Sequence, residues 1–228
     1  GDWLIQSPPQ STWGKPYAEL SVPTMCSGAG CDPDFALLRC TTQSDCVNGG
    51  QCTEVAATVT APGQSPRKLC VGHSDYVYDQ MYKVMASAER FVDVASLLPP
   101  DGRFETALRN GVSFLGNSGK AVQVRFIFGN YPGAGAVDTK AVLQRLARDL
   151  PSGSAAQVYV GSYRSKDVPP SWNHSKIVAA DGKKAIVGGH NLWDAHYLGK
   201  NPVHDISMRL SGPAAVDAHN FASEQWRY

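Results

Sequence analysis

Trp172-Asn173-His174-Ser175-Lys176-Ile177-Val178-Ala179-Ala180-Asp181-Gly182 and, after a short return, Ala185-Ile186-Val187-Gly188-Gly189-His190-Asn191 are the most informative stretch of the 228-residue chain. Two apolar runs, Lys176 to Ala180 and Ala185 to Val187, flank Asp181-Gly182, a dipeptide suited to a tight hairpin turn. Side chains of a strand repeat every two residues, so a strand reaching back through this segment sends His174 and Lys176 to one face. The return strand brings Asn191 near them. An imidazole, an ammonium and an amide converging on one spot suit an anion with a reactive centre, phosphate above all.

The segments on either side alternate between two periods. Upstream, Ser74 is placed to cap a helix with Val77, Met81, Val84, Met85 and Ala88 on its apolar face. Phe91 to Leu98 reads as a strand ended by Pro99-Pro100-Asp101-Gly102. Phe104, Ala107, Leu108, Val112 and Leu115 follow helical spacing, Val122 to Phe128 alternates as a strand, and Val142, Leu143, Leu146 and Leu150 mark another helix. Gln157 to Val160 is a further strand. Downstream, Ile206 to Leu210 is a strand, and Gly212-Pro213 opens a last helix whose expected core face is Ala214, Ala218, Phe221 and Ala222. Strands alternating with helices predict an α/β fold, a mixed β-sheet sandwiched by helices.

Composition narrows the classes. Hydrophobic residues make up 43% and charged residues 18%, enough for a packed core and too apolar for bulk disorder. No run approaches the ~18 apolar residues of a membrane span. A net charge of +1 argues against a basic nucleic-acid binder, and lysines near the motif are nearly balanced by aspartates.

Cys26, Cys31, Cys40, Cys46, Cys52 and Cys70 are all the cysteines of the chain. Their clustering reads as a small disulfide-stapled module near the N-terminus and implies an oxidising, extracellular setting. Sequence does not choose among the possible pairings. The spacings are wider than zinc sites require, and the nearest histidine, His73, stands outside the cluster. Ala61 to Pro66 reads as an exposed loop. No leader opens the chain, so the expectation is a secreted protein whose signal has been removed.

The pattern His174-x-Lys176, Asp181, then Gly188-Gly189-x-Asn191 resembles the HKD motif of the phospholipase D superfamily. Trp172, Trp193, Tyr197, His204-Asp205-Ile206 and Ser211-Gly212-Pro213-Ala214 are similar to the amino-terminal half of secreted two-motif phospholipases D. Val92-Asp93-Val94, Pro100-Asp101-Gly102 and Val122 to Arg125 extend the likeness, which spans about residues 74–228. The expected division is therefore an N-terminal segment with the cysteine module, 1–72, and a phospholipase D-like half-domain, 73–228.

That resemblance implies a phosphodiesterase acting on phosphatidylcholine-type lipids to give phosphatidic acid and free headgroup through a phosphohistidine, with possible transfer to alcohols. It implies His174 as nucleophile, Lys176 and Asn191 as charge stabilisers and Asp205 as the acid that orients the imidazole. Gly188, Gly189, Trp172, Trp193, Tyr197 and His190 are candidate substrate contacts, with core packing an equal reading for the aromatic residues and for His190. Asp181 reads as a hairpin residue rather than a catalyst. Asn173-His174-Ser175 spells a glycosylation acceptor but is discounted, because its middle residue belongs in a pocket. No metal or other cofactor is implied.

The family builds each active site from two HxK motifs, and this chain has one. The expected partner is a second half carrying another HxK motif, either a separate chain or a cleaved carboxy-terminal half, with a homodimer the weaker option. A homodimeric phosphodiesterase or nuclease and a non-catalytic secreted binding module are the alternatives. Phospholipid at a membrane or micelle surface is the expected substrate, and no nucleic acid is expected.

Overall fold

A computed structural model describes residues 1–5, 40–45, 51–55, 67–71, 75–130, 135–163, 172–197 and 203–228. Its centre is a seven-stranded sheet. The strands are β1 (Asp2–Ile5), β4 (Phe91–Ser96), β5 (Gln123–Gly129), β6 (Gln157–Tyr163), β7 (Ile177–Ala180), β8 (Lys184–Gly188) and β9 (Ile206–Ser211). Their spatial order is β1-β9-β8-β7-β4-β5-β6. β4, β5 and β6 run parallel, while β7, β8, β9 and β1 pair antiparallel. A separate two-stranded ribbon pairs β2 (Gln51–Val55) with β3 (Arg67–Val71).

β4, β5 and β7 are buried on both faces, which explains why they read as near-continuous apolar runs. On one face Val92, Val94, Val124, Phe126, Val178 and Ile186 meet α1 (Asp75–Ala86), α2 (Gly102–Asn117) and α3 (Thr139–Leu146). Tyr78 and Phe104 pack edge to face at 4.5 Å there. The opposite face carries Ala95, Ala179 and Ala185 beside Ile127 and Ile177, and receives α5 (Pro213–Arg227). A short helix, α4 (Asp194–Tyr197), follows β8.

The last helix packs differently from its sequence reading. Ala218 and Ala222 face the sheet as expected, but the buried stripe is Ala215, Ala218, Ala222 and Gln225, while Ala214 is exposed and Phe221 is 53% exposed. The alanine-lined sheet face admits a close helix backbone, and a phenylalanine on that stripe would hold it away. A polar fastening adds to the contact. Asp93, buried on β4, meets Arg125 Nη2 at 2.6 Å and His219 Nδ1 at 2.6 Å, and Arg125 reaches Ser223 at 3.1 Å. Burial pushes the Asp93 carboxyl up, and the Arg125 and His219 charges oppose that shift.

Three boundaries move. β1 belongs to the segment expected to lie outside the half-domain, yet it pairs with β9 from Asp2↔Arg209 to Ile5↔Ile206. The sheet thus draws a strand from before the cysteine-rich stretch, which is an insertion between β1 and α1 rather than a preceding unit. The expected strand end at Leu98 falls at Ser96, and the helix expected to reach Leu150 ends at Leu146. Cys40 and Cys52 form a disulfide, and Cys70 lies opposite Cys52 in the ribbon ladder. Cys26, Cys31, Cys46, the Ser74 cap and the Ala61–Pro66 loop lie outside the described residues.

Candidate active site

The site lies at the rim where β4 ends and β7 begins. Asn173 anchors it. Its side chain is buried, and its Nδ2 donates to the carbonyl oxygens of Ser96 (3.1 Å) and Ile127 (3.2 Å). Its Oδ1 accepts from the Ser175 backbone N–H (3.0 Å), the Ser175 hydroxyl (2.6 Å) and Gln225 Nε2 (2.9 Å). The residue before His174 is thereby tied to β4, β5 and α5 at once, and its amide has no capacity left for a glycan. Gly129 makes room for this loop, since a Cβ there would stand 2.3 Å from the Asn173 carbonyl oxygen.

Residues 173–176 are not strand, so alternation does not place His174 and Lys176 as the sequence reading expected. Direct contact does. Lys176 Nζ donates to the His174 carbonyl oxygen at 2.8 Å. His174 is exposed and Lys176 half-buried. Desolvation lowers the His174 pKa, and the Lys176 charge lowers it further. Desolvation also lowers Lys176, against the pull of Asp205. The imidazole is therefore biased toward its neutral, nucleophilic form.

The Gly188-Gly189 pair is the hinge between the two halves of the motif. Gly188 N–H donates to the Lys176 carbonyl (3.3 Å) and Gly189 N–H to the Ile206 carbonyl (2.9 Å). A Cβ on Gly188 would meet Ser207 Cα at 2.4 Å, and one on Gly189 would meet Asp205 Oδ1 at 2.6 Å. Only glycine lets β8 carry the Lys176 backbone on one side and the Asp205 carboxylate on the other. Asp205 Oδ2 accepts from the Tyr197 hydroxyl at 2.9 Å. Burial, joined by the neighbouring Asp205 charge, raises the Tyr197 pKa and keeps that hydroxyl a donor.

Asn191 comes next in the chain; it is half-buried, and its Oδ1 is enclosed without a hydrogen-bond partner among the described residues. The Asp101 N–H donates to the Leu192 carbonyl at 3.0 Å, and the Trp193 indole N–H donates to the Pro99 carbonyl at 3.1 Å. These bonds pin the segment after the glycines to the loop after β4. Trp172 and Trp193 are half-buried and remain candidate walls of a substrate site.

Tyr197 and His190 do not. Both are fully buried, so neither presents a surface that substrate can touch. His190 Nδ1 lies 2.7 Å from Ser207 Oγ, and its ring packs 5.4 Å from that of Tyr197. The two form the wall behind Asp205. Burial lowers the His190 pKa, opposed by the Asp205 charge. Asp181 sits at the far end of β7 from His174. Its carboxylate accepts backbone N–H bonds from Glu89 (2.8 Å), Arg90 (2.9 Å) and Phe91 (2.8 Å), joining the hairpin turn to the start of β4. Its φ of 53° and the 65° of Gly182 give the left-handed turn that the dipeptide suits.

Sequence reasoning missed Gln225 and His219, because neither stands in a motif. The alanine spacing of α5, followed to Gln225, was the available signal. Among the described residues no group of three or more His, Cys, Asp or Glu is arranged to hold a metal ion. No helix among them is long and apolar enough to cross a membrane.

No family model matches the chain. It is 37% identical over 155 residues to a phospholipase D of Streptomyces antibioticus, a match covering 65% of this chain and 27% of that protein. It is 26% identical over 176 residues to cardiolipin synthase A of Pseudomonas aeruginosa, covering 74% of this chain and 34% of the relative. The chain thus spans about a third or less of these relatives. Among solved structures, NucT from Helicobacter pylori aligns with a TM-score of 0.44 at 14% identity, over 65% of this chain and 86% of that one. Nuc from Salmonella typhimurium, a phospholipase D family member, aligns with a TM-score of 0.42 at 14% identity, over 68% and 88%. The curated relatives and the His174-to-Asn191 pattern agree, and this chain is similar to phospholipase D-type enzymes over the part that carries that pattern.

Proposed function

We propose that this chain is one half of a secreted phospholipase D that cleaves the headgroup-side phosphodiester of phosphatidylcholine-type lipids. The observation that supports the reading is the bond from Lys176 Nζ to the His174 carbonyl oxygen, with the Lys176 charge acting on the His174 ring and the Asp205 charge acting on Lys176. An imidazole nitrogen of His174 attacks phosphorus, and the P–O bond to the headgroup breaks. A histidine of a second HxK half gives its proton to the leaving alkoxide. That histidine then takes a proton from water, whose oxygen attacks the phosphohistidine. The P–N bond breaks, releasing phosphatidic acid and regenerating His174. An alcohol in place of water gives the transphosphatidylation product. Lys176 and Asn191 hold the non-bridging oxygens as charge builds on them.

The second half is required by this stoichiometry, because one imidazole cannot be covalent nucleophile and leaving-group acid in the same step. We assign that half to a separate or carboxy-terminal segment. The cysteine-rich insertion and the Cys40–Cys52 bond fit an extracellular setting.

The test is an acid-free quench of the intact protein turning over a short-chain phosphatidylcholine labelled on phosphorus. The label should be trapped on the peptide carrying His174 and be absent in His174→Ala. Label on another residue, or steady turnover by His174→Ala, overturns the assignment. Full activity from this chain as a strict monomer overturns the shared site.

A further inference from the structure

The seam between α5 and the sheet is poor in features that fix its register. Ala215 and Ala218 cluster with Ala95, Ala179 and Ala185, and alanine has no side chain long enough to interlock. Ile127 and Ile177 from the strands and Trp226 near the helix end supply the larger groups. A helix rises about 1.5 Å per residue, and a slip or tilt of that size strains or breaks a hydrogen bond of ordinary length. Polar ties at two places on α5 hold it instead.

The first tie is centred on Asp93, which lies between Arg125 and Ala179 in the ladder and is 1% exposed. Its Oδ1 accepts from Arg125 Nε at 2.7 Å, and Arg125 Nη2 donates onward to Ser223 Oγ on α5 at 3.1 Å. Its Oδ2 is enclosed and faces His219 Nδ1 at 2.6 Å, an ion-pair contact. Among the described residues neither of those two atoms makes a hydrogen bond elsewhere. The His219 ring also packs 6.0 Å from that of Phe91, over which the Arg125 guanidinium lies at 5.9 Å. A carboxylate out of water depends on such partners, so moving His219 away leaves an enclosed oxygen unsatisfied. The second tie is Gln225, about 9 Å further along the helix, whose Nε2 bonds Asn173 Oδ1 and Ser175 Oγ on either side of His174.

We propose that His219, through its contact with Asp93, is a positioning residue for the reaction at His174: it sets the register of α5 on the sheet, and α5 sets residues 173–175 through Gln225. The two ties act in series, because Gln225 meets Asn173 and Ser175 only where the helix is seated. The kinetic consequence rests on His174 as the nucleophile, and the structural one does not.

The test is a double-mutant cycle on the intact protein with its second half, using His219→Ala, Gln225→Ala and the pair together, with His219→Gln as the conservative variant. Two readouts are taken: turnover of short-chain phosphatidylcholine, and solvent exchange of the Gln225 side-chain amide by NMR, its signal identified by its loss in Gln225→Ala. His219→Ala should lower kcat about fivefold or more with KM within about twofold, and speed exchange of the Gln225 amide about tenfold or more. His219→Gln, whose amide N–H can reach Asp93 Oδ2, should restore most of both. In the double variant the kcat loss should equal that of Gln225→Ala alone. Losses that multiply, a native kcat in folded His219→Ala, an unchanged Gln225 amide, or no recovery in His219→Gln overturns the proposal. Should His219→Ala not fold, His219→Asn, whose amide is held one methylene shorter than that of Gln, takes its place with the same expectations. If the intact protein does not turn the lipid over, the proposed function falls, and the Gln225 amide alone decides whether His219 seats the helix.

Discussion

Gln225 Nε2 donates to Asn173 Oδ1 at 2.9 Å, so the last helix is hydrogen-bonded to the residue that precedes His174. The same amide nitrogen reaches Ser175 Oγ at 3.0 Å, on the other side of the imidazole. α5 therefore grips both neighbours of the proposed nucleophile.

Gln225→Ala should cost about 1–2 kcal/mol of stability, the usual range for a lost buried hydrogen bond with its partner left in place. It should also lower kcat more than it raises KM, because the loop loses its anchor while the substrate walls stay. Denaturant titration and steady-state kinetics on the intact protein check both. A stability loss with unchanged kcat would make Gln225 a packing residue only.

Lys176→Gln should raise the His174 pKa. Desolvation and the Lys176 charge both lower it in the native protein, and the substitution removes the second cause. In the unaltered protein the neutral imidazole persists to a lower pH than in a free histidine, so the acid limb of activity should fall below the ordinary histidine range. NMR titration of the ring reads the shift directly. A downward movement would contradict the placement of Lys176.

The adjacent glycines should fail in different ways. Gly189→Ala sets a Cβ 2.6 Å from a carboxylate oxygen that can rotate away, so the protein should fold and lose activity as Asp205 moves. Gly188→Ala sets one 2.4 Å from a backbone carbon of the next strand, which has no such escape. It should fold poorly. Thermal unfolding of the two variants separates them, and equal melting temperatures would contradict this account.

Asp181→Ala should destabilise by about 2–3 kcal/mol, since three backbone N–H groups lose their acceptor and alanine is strained at positive φ. Turnover per folded molecule should change little, because the residue lies at the end of β7 remote from His174. Activity normalised to the folded fraction is the measurement.

Strand positions were legible where burial is two-sided, as in Val122 to Phe128, and the spacing from His174 to Asn191 was legible as one unit. The face of α5 was not. Its stripe ends on a polar residue, Gln225, whose burial makes sense only once Asn173 lies opposite it. β1 was hidden for a related reason: four residues, Asp2 to Ile5, are too short to show a period, and their partner β9 is some two hundred residues away. Position inside the motif left His190 open between substrate contact and packing, and burial decides it: the segment after β8 turns it inward against Ser207. Motif spacing locates a backbone, and burial decides which side chains reach the solvent.

β1 and α1 bracket residues 6–74, and α1 packs against β1, so that stretch leaves the sheet and returns to nearly the same place. Its two attachment points act as a socket. Because the entropy of closing a loop grows only by about 0.6 kcal/mol per doubling of length, the sheet is nearly indifferent to how much chain the socket carries. A change in the length of the disulfide-bearing passenger therefore need not re-thread a single strand, which makes this junction the natural place to graft a targeting or binding element onto the sheet.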